Sequence, residues 1–131
     1  MPYQNHWEPH GVVKRMWGFV SAAEFVRSTE EIAADPRFDD LRFVIVDVSE
    51  MQGHDIDELA LEKVAVIRIG SSLTNRSFRV VVVGSDRQLQ DLIDASQLPP
   101  HQTLAFASMT DARDWLTKQP ALRDWNESRF R

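Results

Sequence analysis

An α/β fold, with a single layer of helices on a mostly parallel five-stranded sheet and an antiparallel hairpin at its start, follows from three features of this sequence. Two runs, Arg42 to Val48 and Phe78 to Val83, are apolar at nearly every position and predict strands buried on both faces. Segments with helical spacing and legible caps separate such runs, and parallel strands require crossovers of that kind. The opening residues place a turn tripeptide, Pro9-His10-Gly11, between two strand-like arms. The predicted order is β-β-α-β-α-β-α-β-α.

Each element has its own warrant. The hairpin arms cover residues 4 to 8 and 11 to 20. The second is rich in β-branched and aromatic residues, with Trp17 and Phe19 expected on one face and in the core. Ser21 and Glu24 form an S-x-x-E capping box, in which hydroxyl and carboxylate reciprocally satisfy orphan backbone N–H groups. Ala22, Phe25, Val26, Thr29, Ile32 and Ala33 follow with helical spacing. The helix is expected to stop before Asp35-Pro36, because the residue preceding proline is pushed out of the α region. The strand over Arg42 to Val48 is then expected to break into a polar loop. Between strand and helix that loop gathers Asp47, Ser49, Glu50, His54, Asp55, Asp57 and Glu58.

Residues 57 to 73 are read as a helix, although Val64 to Ile69 is β-branched enough to suggest a strand; the length suits a crossover. The strand Phe78 to Val83 ends in Gly84-Ser85-Asp86. Asp86 is expected to cap a helix carrying Leu89, Leu92 and Ile93, closed by Pro99-Pro100. Leu104 to Ala107 reads as a short strand, and Ser108 as the cap of a last helix with Ala112, Trp115 and Leu116 inward. Pro120 opens a charged tail that contains Trp125 and Phe130. Right-handed crossovers that always step the same way leave their helices on one face. Both faces of the central strands are nevertheless apolar. The second face therefore needs a cover, from the C-terminal tail, a second subunit or an apolar ligand.

Composition narrows the function classes. At 131 residues and 43% hydrophobic, the chain is one domain able to bury a real core. A formal charge of -5, with acidic residues gathered between Glu30 and Glu62, argues against general nucleic-acid binding. The absence of cysteine excludes disulfides, thiolate metal sites and thiol nucleophiles. The N-terminus lacks the basic-then-apolar layout of a secretion signal, and no apolar run approaches the ~20 residues that span a bilayer. A soluble cytoplasmic protein is expected.

The order and spacing of several short features resemble the STAS domains (sulphate transporter and anti-sigma-factor antagonist), and more narrowly small stand-alone bacterial SpoIIAA-like proteins. The features are Gly11-x-x-x-Arg15-x-x-Gly18, the Ser21-led helix, Asp35-Pro36-Arg37-Phe38, the Val46-Asp47-Val48-Ser49 strand end, and Phe106 to Leu116. The resemblance covers about residues 3 to 118, giving a STAS-like domain over 1–118 and a tail over 119–131. It implies sequentially ordered strands, a right-handed β-α superhelix and no catalysis. STAS antagonists carry a D-x-S strand end followed by a D-S-S-G loop whose second serine is phosphorylated. Asp47-Val48-Ser49 matches the strand end, and Asp55 falls at the loop aspartate. Asp57 stands where the phosphorylated serine would be. A carboxylate carries about one negative charge against roughly two for phosphoserine, so kinase control at this position is not implied, whereas docking at the same surface is.

The candidate site residues are Asp47, Ser49, His54, Asp55 and Asp57. Asp47 and Ser49 read equally as ligand-binding groups at a strand end and as local turn formers. Asp55 and Asp57 read first as helix caps. His6, His10, His54 and His101 have no ligand spacing, so no metal is expected. Neither a nucleophile elbow, a phosphate loop nor a dinucleotide fingerprint occurs, and no cofactor is expected. The function expected is a non-catalytic STAS-like regulatory or binding module that docks a protein partner or a small apolar ligand, as a homodimer. Its working surface would be the loop from Asp47 to Glu58 with the open sheet face. A small SEC14-like lipid carrier is the second reading, and a small enzyme using Asp47, His54 or Asp57 the third.

Overall fold

Tyr3–Glu8 (β1) and Gly11–Val20 (β2) pair as an antiparallel hairpin, turned at Pro9 and His10, where His10 adopts a positive φ of 83°. Phe43–His54 (β3), Arg79–Val83 (β4) and Thr103–Phe106 (β5) add in parallel, so the sheet order is β1-β2-β3-β4-β5. The computed structural model describes residues 2–73, 75, 78–85 and 103–119. Within them the α/β class, the antiparallel start and the sequential strand order all agree with expectation. The helix expected from Asp86 and residues 120–131 of the tail lie outside the described residues.

Three α-helices are described: Ala22–Ala34 (α1), Glu58–Ser72 (α2) and Met109–Thr117 (α3), with a 3-10 turn over Pro36–Asp40. The capping box of α1 forms as read. Ser21 Oγ accepts the Glu24 N–H at 3.1 Å, and Glu24 Oε1 accepts the Ser21 N–H at 3.0 Å. Asp35 ends α1 and its carboxylate accepts the Arg37 N–H, starting the 3-10 turn. Residues 64 to 69 are helical, within α2. Ser108 caps α3 by accepting the Asp111 N–H.

Alternation along the strands splits the core into two faces. Val12, Met16, Val44, Val48, Val80 and Val82 point to one side, where Phe25 and Ile32 of α1 and Val64 of α2 meet them. Val13, Ile45, Val81 and Val83 point to the other, where Ala112 and Leu116 of α3 seal them. The crossover helices α1 and α2 thus share one face, as handedness requires. α3, which follows β5, folds across the opposite face. Among the described residues the second cover over these strands is α3, with Phe106, Met109 and Trp115 beside it.

The polar loop expected after Val48 is instead strand. β3 runs on to His54, paired with β2 as far as Val20. The register jumps twice, from Arg15–Asp47 to Trp17–Glu50 and from Gly18–Met51 to Phe19–Gly53. Each jump puts one more residue on β3 than on β2, which makes two β-bulges. The first puts Val48 and Met51, three residues apart, in the same core cluster. Beyond it the side-chain alternation no longer has period two, which is why the segment reads as loop. Phe19, expected in the core, is 60% exposed on this extension, and Trp17 is half-buried.

Two glycines of the quoted Gly11-x-x-x-Arg15-x-x-Gly18 pattern have separate reasons. A Cβ on Gly11 would collide with the ring of Phe43, its neighbour on β3. Gly18 sits at the second bulge with φ +62, a conformation costly for other residues.

Candidate functional site

The sequence candidates fall into two groups at one end of the sheet. Asp47 is the last residue of β3 paired to β4, opposite Val83. Its Oδ1 accepts the Ser49 N–H at 3.0 Å and the Ser49 hydroxyl at 2.6 Å. The N–H concerned lies within the first bulge, so the carboxylate satisfies a local donor there. Ser49, with Glu50, Met51 and Gln52, borders a shallow groove whose other wall is Trp17 and Gly18. Arg15 reaches Glu50 across this surface at 2.7 Å, both ends being solvated.

The second group organises helix starts. His54 closes β3, and its Nδ1 accepts the Ile56 N–H at 3.0 Å. Asp55 Oδ1 accepts the N–H of Ala22 at 2.6 Å, a first-turn donor of α1. Asp57 is the N-cap of α2 and accepts the Ala60 N–H at 2.9 Å. Two carboxylates two positions apart in the chain, Asp55 and Asp57, therefore face the positive ends of two neighbouring helices. Asp57 also borders a groove between α1 and α2, opposite Ala22, Val26 and Glu30. Asp47 and Ser49 border neither this groove nor its helices. Each candidate has a local hydrogen-bonding task, and the five do not converge on a single point. Among the described residues, no group of three or more His, Asp or Glu stands close enough to hold a metal ion.

Two features escaped the sequence reading. The first is on α2, where Leu59, Val66, Ile69 and Leu73 are all at least half exposed, from 50% at Ile69 to 74% at Leu73. Their spacing, Leu59 to Val66 to Leu73 with Ile69 between, puts them on one stripe of the helix. The opposite side of α2 is spent on Ala60 and Val64, which are core. Hydrophobic residues on both sides of α2 flatten its periodicity, hence the strand-like look of Val64 to Ile69.

The second is a cavity of about 80 Å³ between α1, α2 and the sheet, walled by Phe25, Ile32, Val46 and Val64. Lys14 and Arg68 line it. Lys14 is only 4% exposed, and its Nζ donates to Thr29 Oγ1 at 2.8 Å. Burial pushes the Lys14 ammonium down to about 7, with Arg68 adding to the effect and Glu31 opposing it. The signal was available in the sequence. Lys14 occupies the inward position between Val12 and Met16, where alternation calls for an apolar side chain.

No protein-family model matches the chain, and no curated protein matches its sequence. Solved structures do match. The anti-sigma factor antagonist SpoIIAA in its unphosphorylated form superposes with a TM-score of 0.63 at 12% identity, over 89% of this chain and 99% of that one. The chain has the SpoIIAA-like fold. An uncharacterized protein of the DUF3478 family from Shewanella loihica, with the same SpoIIAA-like fold, gives a TM-score of 0.53 at 15% identity, covering 87% of this chain and 91% of that one. At these identities the likeness concerns architecture. Within the SpoIIAA-like fold, the sequential strands explain why the starts of α1 and α2 lie side by side at one end of the sheet. No described helix is long and apolar enough to cross a membrane.

Proposed function

We propose that this protein is a non-catalytic docking module that receives a helical segment of a protein partner along the exposed side of α2. The observation that carries the reading is the stripe Leu59, Val66, Ile69 and Leu73. Apolar side chains grouped in this way mark interaction surfaces, and a spacing of seven, with an intermediate at three and four, suits the seam of a helix pair. Glu58 and Lys63 flank the stripe and supply a charged border, while Glu62 falls within it, at the intermediate position between Leu59 and Val66. The similar SpoIIAA is an anti-sigma factor antagonist, a protein whose action is directed at another protein, and its likeness supports a protein partner here.

Asp57 sits at the N-terminal end of the same helix. Through the STAS resemblance it occupies the place of a phosphorylated serine, so we read the docking surface as carrying a permanent single charge there. Control by a serine kinase at that position is absent from this reading. Asp47, Ser49, His54 and Asp55 act as supports: they cap helices and bind the bulge, which fixes where α2 begins.

The test compares wild-type and Val66→Asp proteins as bait against lysate of the source cell, with circular dichroism to check that α2 is retained. A specific prey recovered by wild type and reduced at least about tenfold by Val66→Asp supports the reading. Equal recovery by both refutes it. Light scattering at tens of micromolar adds a separate outcome. A dimer that Val66→Asp dissociates would reassign the stripe to a second copy of this chain.

A further inference from the structure

We propose that the cavity between α1, α2 and the sheet binds a small aliphatic carboxylate, whose head is received by the Lys14 ammonium. A lysine has three donors, and the described partner of Nζ is a single hydroxyl, Thr29 Oγ1. The Thr29 hydroxyl is oriented for this, since it also reaches the Phe25 carbonyl at 3.4 Å. Among the described residues no carboxylate lies within ion-pairing distance of Lys14 Nζ. The aromatic ring of Phe25, with its centroid 5.6 Å from Nζ, offers only weak compensation. A buried ammonium supported this thinly is costly, and an entering anion with hydrogen-bonding oxygens removes that cost.

The surroundings select the ligand. Arg68 lines the same cavity from α2, so two cationic side chains share it. Glu31 of α1 is the carboxylate that acts on Lys14, and it accepts the Tyr3 hydroxyl at 2.8 Å. The charged groups that act on the Lys14 ammonium are thus Arg68 and Glu31. The remaining walls are Phe25, Ile32, Val46 and Val64, which suit an alkyl body and disfavour strongly hydrated anions such as sulfate. The volume of about 80 Å³ is well below the ~150 Å³ of an apolar cavity known to take benzene, which limits the body to on the order of four carbons.

Butyrate is the probe, titrated calorimetrically into the full-length protein. Single-site binding to wild type is expected at about pH 6, with Kd on the order of 1 mM. Lys14→Met, which keeps the length and removes the charge, should weaken butyrate at least about tenfold while leaving butan-1-ol unaffected. Because the carboxylate needs the protonated amine, wild-type affinity should fall roughly tenfold per pH unit once pH rises above the Lys14 value of about 7. No saturable binding of butyrate at pH 6, or equal affinity in wild type and Lys14→Met, overturns the proposal. The pH profile uses wild-type protein alone, so a flat profile above pH 7 is equally fatal even if the variant does not fold.

Discussion

Glu8 at the end of β1 and Arg113 in the middle of α3 grip each other through two parallel hydrogen bonds, Nη1 to Oε1 at 2.9 Å and Nη2 to Oε2 at 2.6 Å. They are 105 positions apart in the chain. α3 follows β5 at one edge of the sheet, and β1 forms the other edge. This bidentate pair therefore ties α3 to β1 across the second face of the described sheet. The contact to Arg113 holds the Glu8 carboxyl below its ordinary value, against some opposition from burial.

Breaking that grip should loosen α3. Arg113→Met is expected to lower unfolding free energy by about 1 kcal/mol, since the arginine is partly solvated and screened. The sign with pH follows from the depressed folded value of Glu8. Its contribution is present above the unfolded carboxyl value near ~4.3 and is lost as pH falls through the lower folded value. Urea midpoints at about pH 7 and about pH 3 should therefore converge for wild type and Glu8→Gln on the acid side. A constant gap between them would contradict the assignment.

Tyr3 is the chain's one tyrosine, so the ultraviolet difference absorbance of phenol ionisation reports on it alone, the four tryptophans being non-titrating. Burial, aided by its hydrogen bond to Glu31, pushes the phenol up to about 12. The native protein should titrate near that value and the urea-unfolded chain near ~10. A raised folded value means that this contribution to stability is whole below ~10 and is lost as pH climbs through about 12. Tyr3→Phe should remove that alkaline slope. A native phenol titrating near 10 would show that the ring is not packed as described.

Asp55 distinguishes a capping role from a binding one. Its carboxylate, just past the end of β3, accepts the Ala22 N–H, so Asp55→Ala should cost about 1 kcal/mol through fraying of α1. Asp55→Asn, which caps almost as well, should cost only a few tenths. Thermal melts of the two variants give the ordering. Equal loss in both would mean that the charge itself matters, as it would at a ligand site.

Gly11 and Phe43 form a close-packed pair on adjacent strands. Gly11→Ala should destabilise by about 1–3 kcal/mol, because the ring must leave its place. Phe43→Leu should give back part of that loss in the double variant, a coupling readable in a double-mutant cycle. Strict additivity would argue against direct contact.

Much of the fold is written locally. The Ser21–Glu24 box, Asp35-Pro36, the Asp57 cap and Ser108 each name a helix boundary through a single hydrogen-bonding act, so those boundaries fall where the residues are. The uninterrupted apolar runs likewise mark β4 and the first half of β3. What was not legible depends on partners distant in sequence. The second half of β3 is strand only because β2 is long enough to pair with it, and its bulges erase the alternation that would announce it. The destination of α3 is a matter of which face remained uncovered. At the candidate site, Asp55 and Asp57 could be identified as caps, but not that Asp55 caps α1 instead of its own helix. Alternation places Lys14 on the inward side between Val12 and Met16, but a lone lysine in a strand is ordinarily solvated, and the enclosure by α1 and α2 is what makes its burial plain.

β4 ends beside Asp47, so among the described strands residues 48–54 of β3 pair on one edge only. Strand edges left open by a neighbouring strand are in general an invitation to a foreign strand, and flat ones recruit copies of themselves into fibrils. The doubled bulge takes the flatness away, because it throws successive donors and acceptors out of line along this edge. An intruding chain finds no continuous run to zip onto, and the irregularity becomes a guard against self-templating polymerisation.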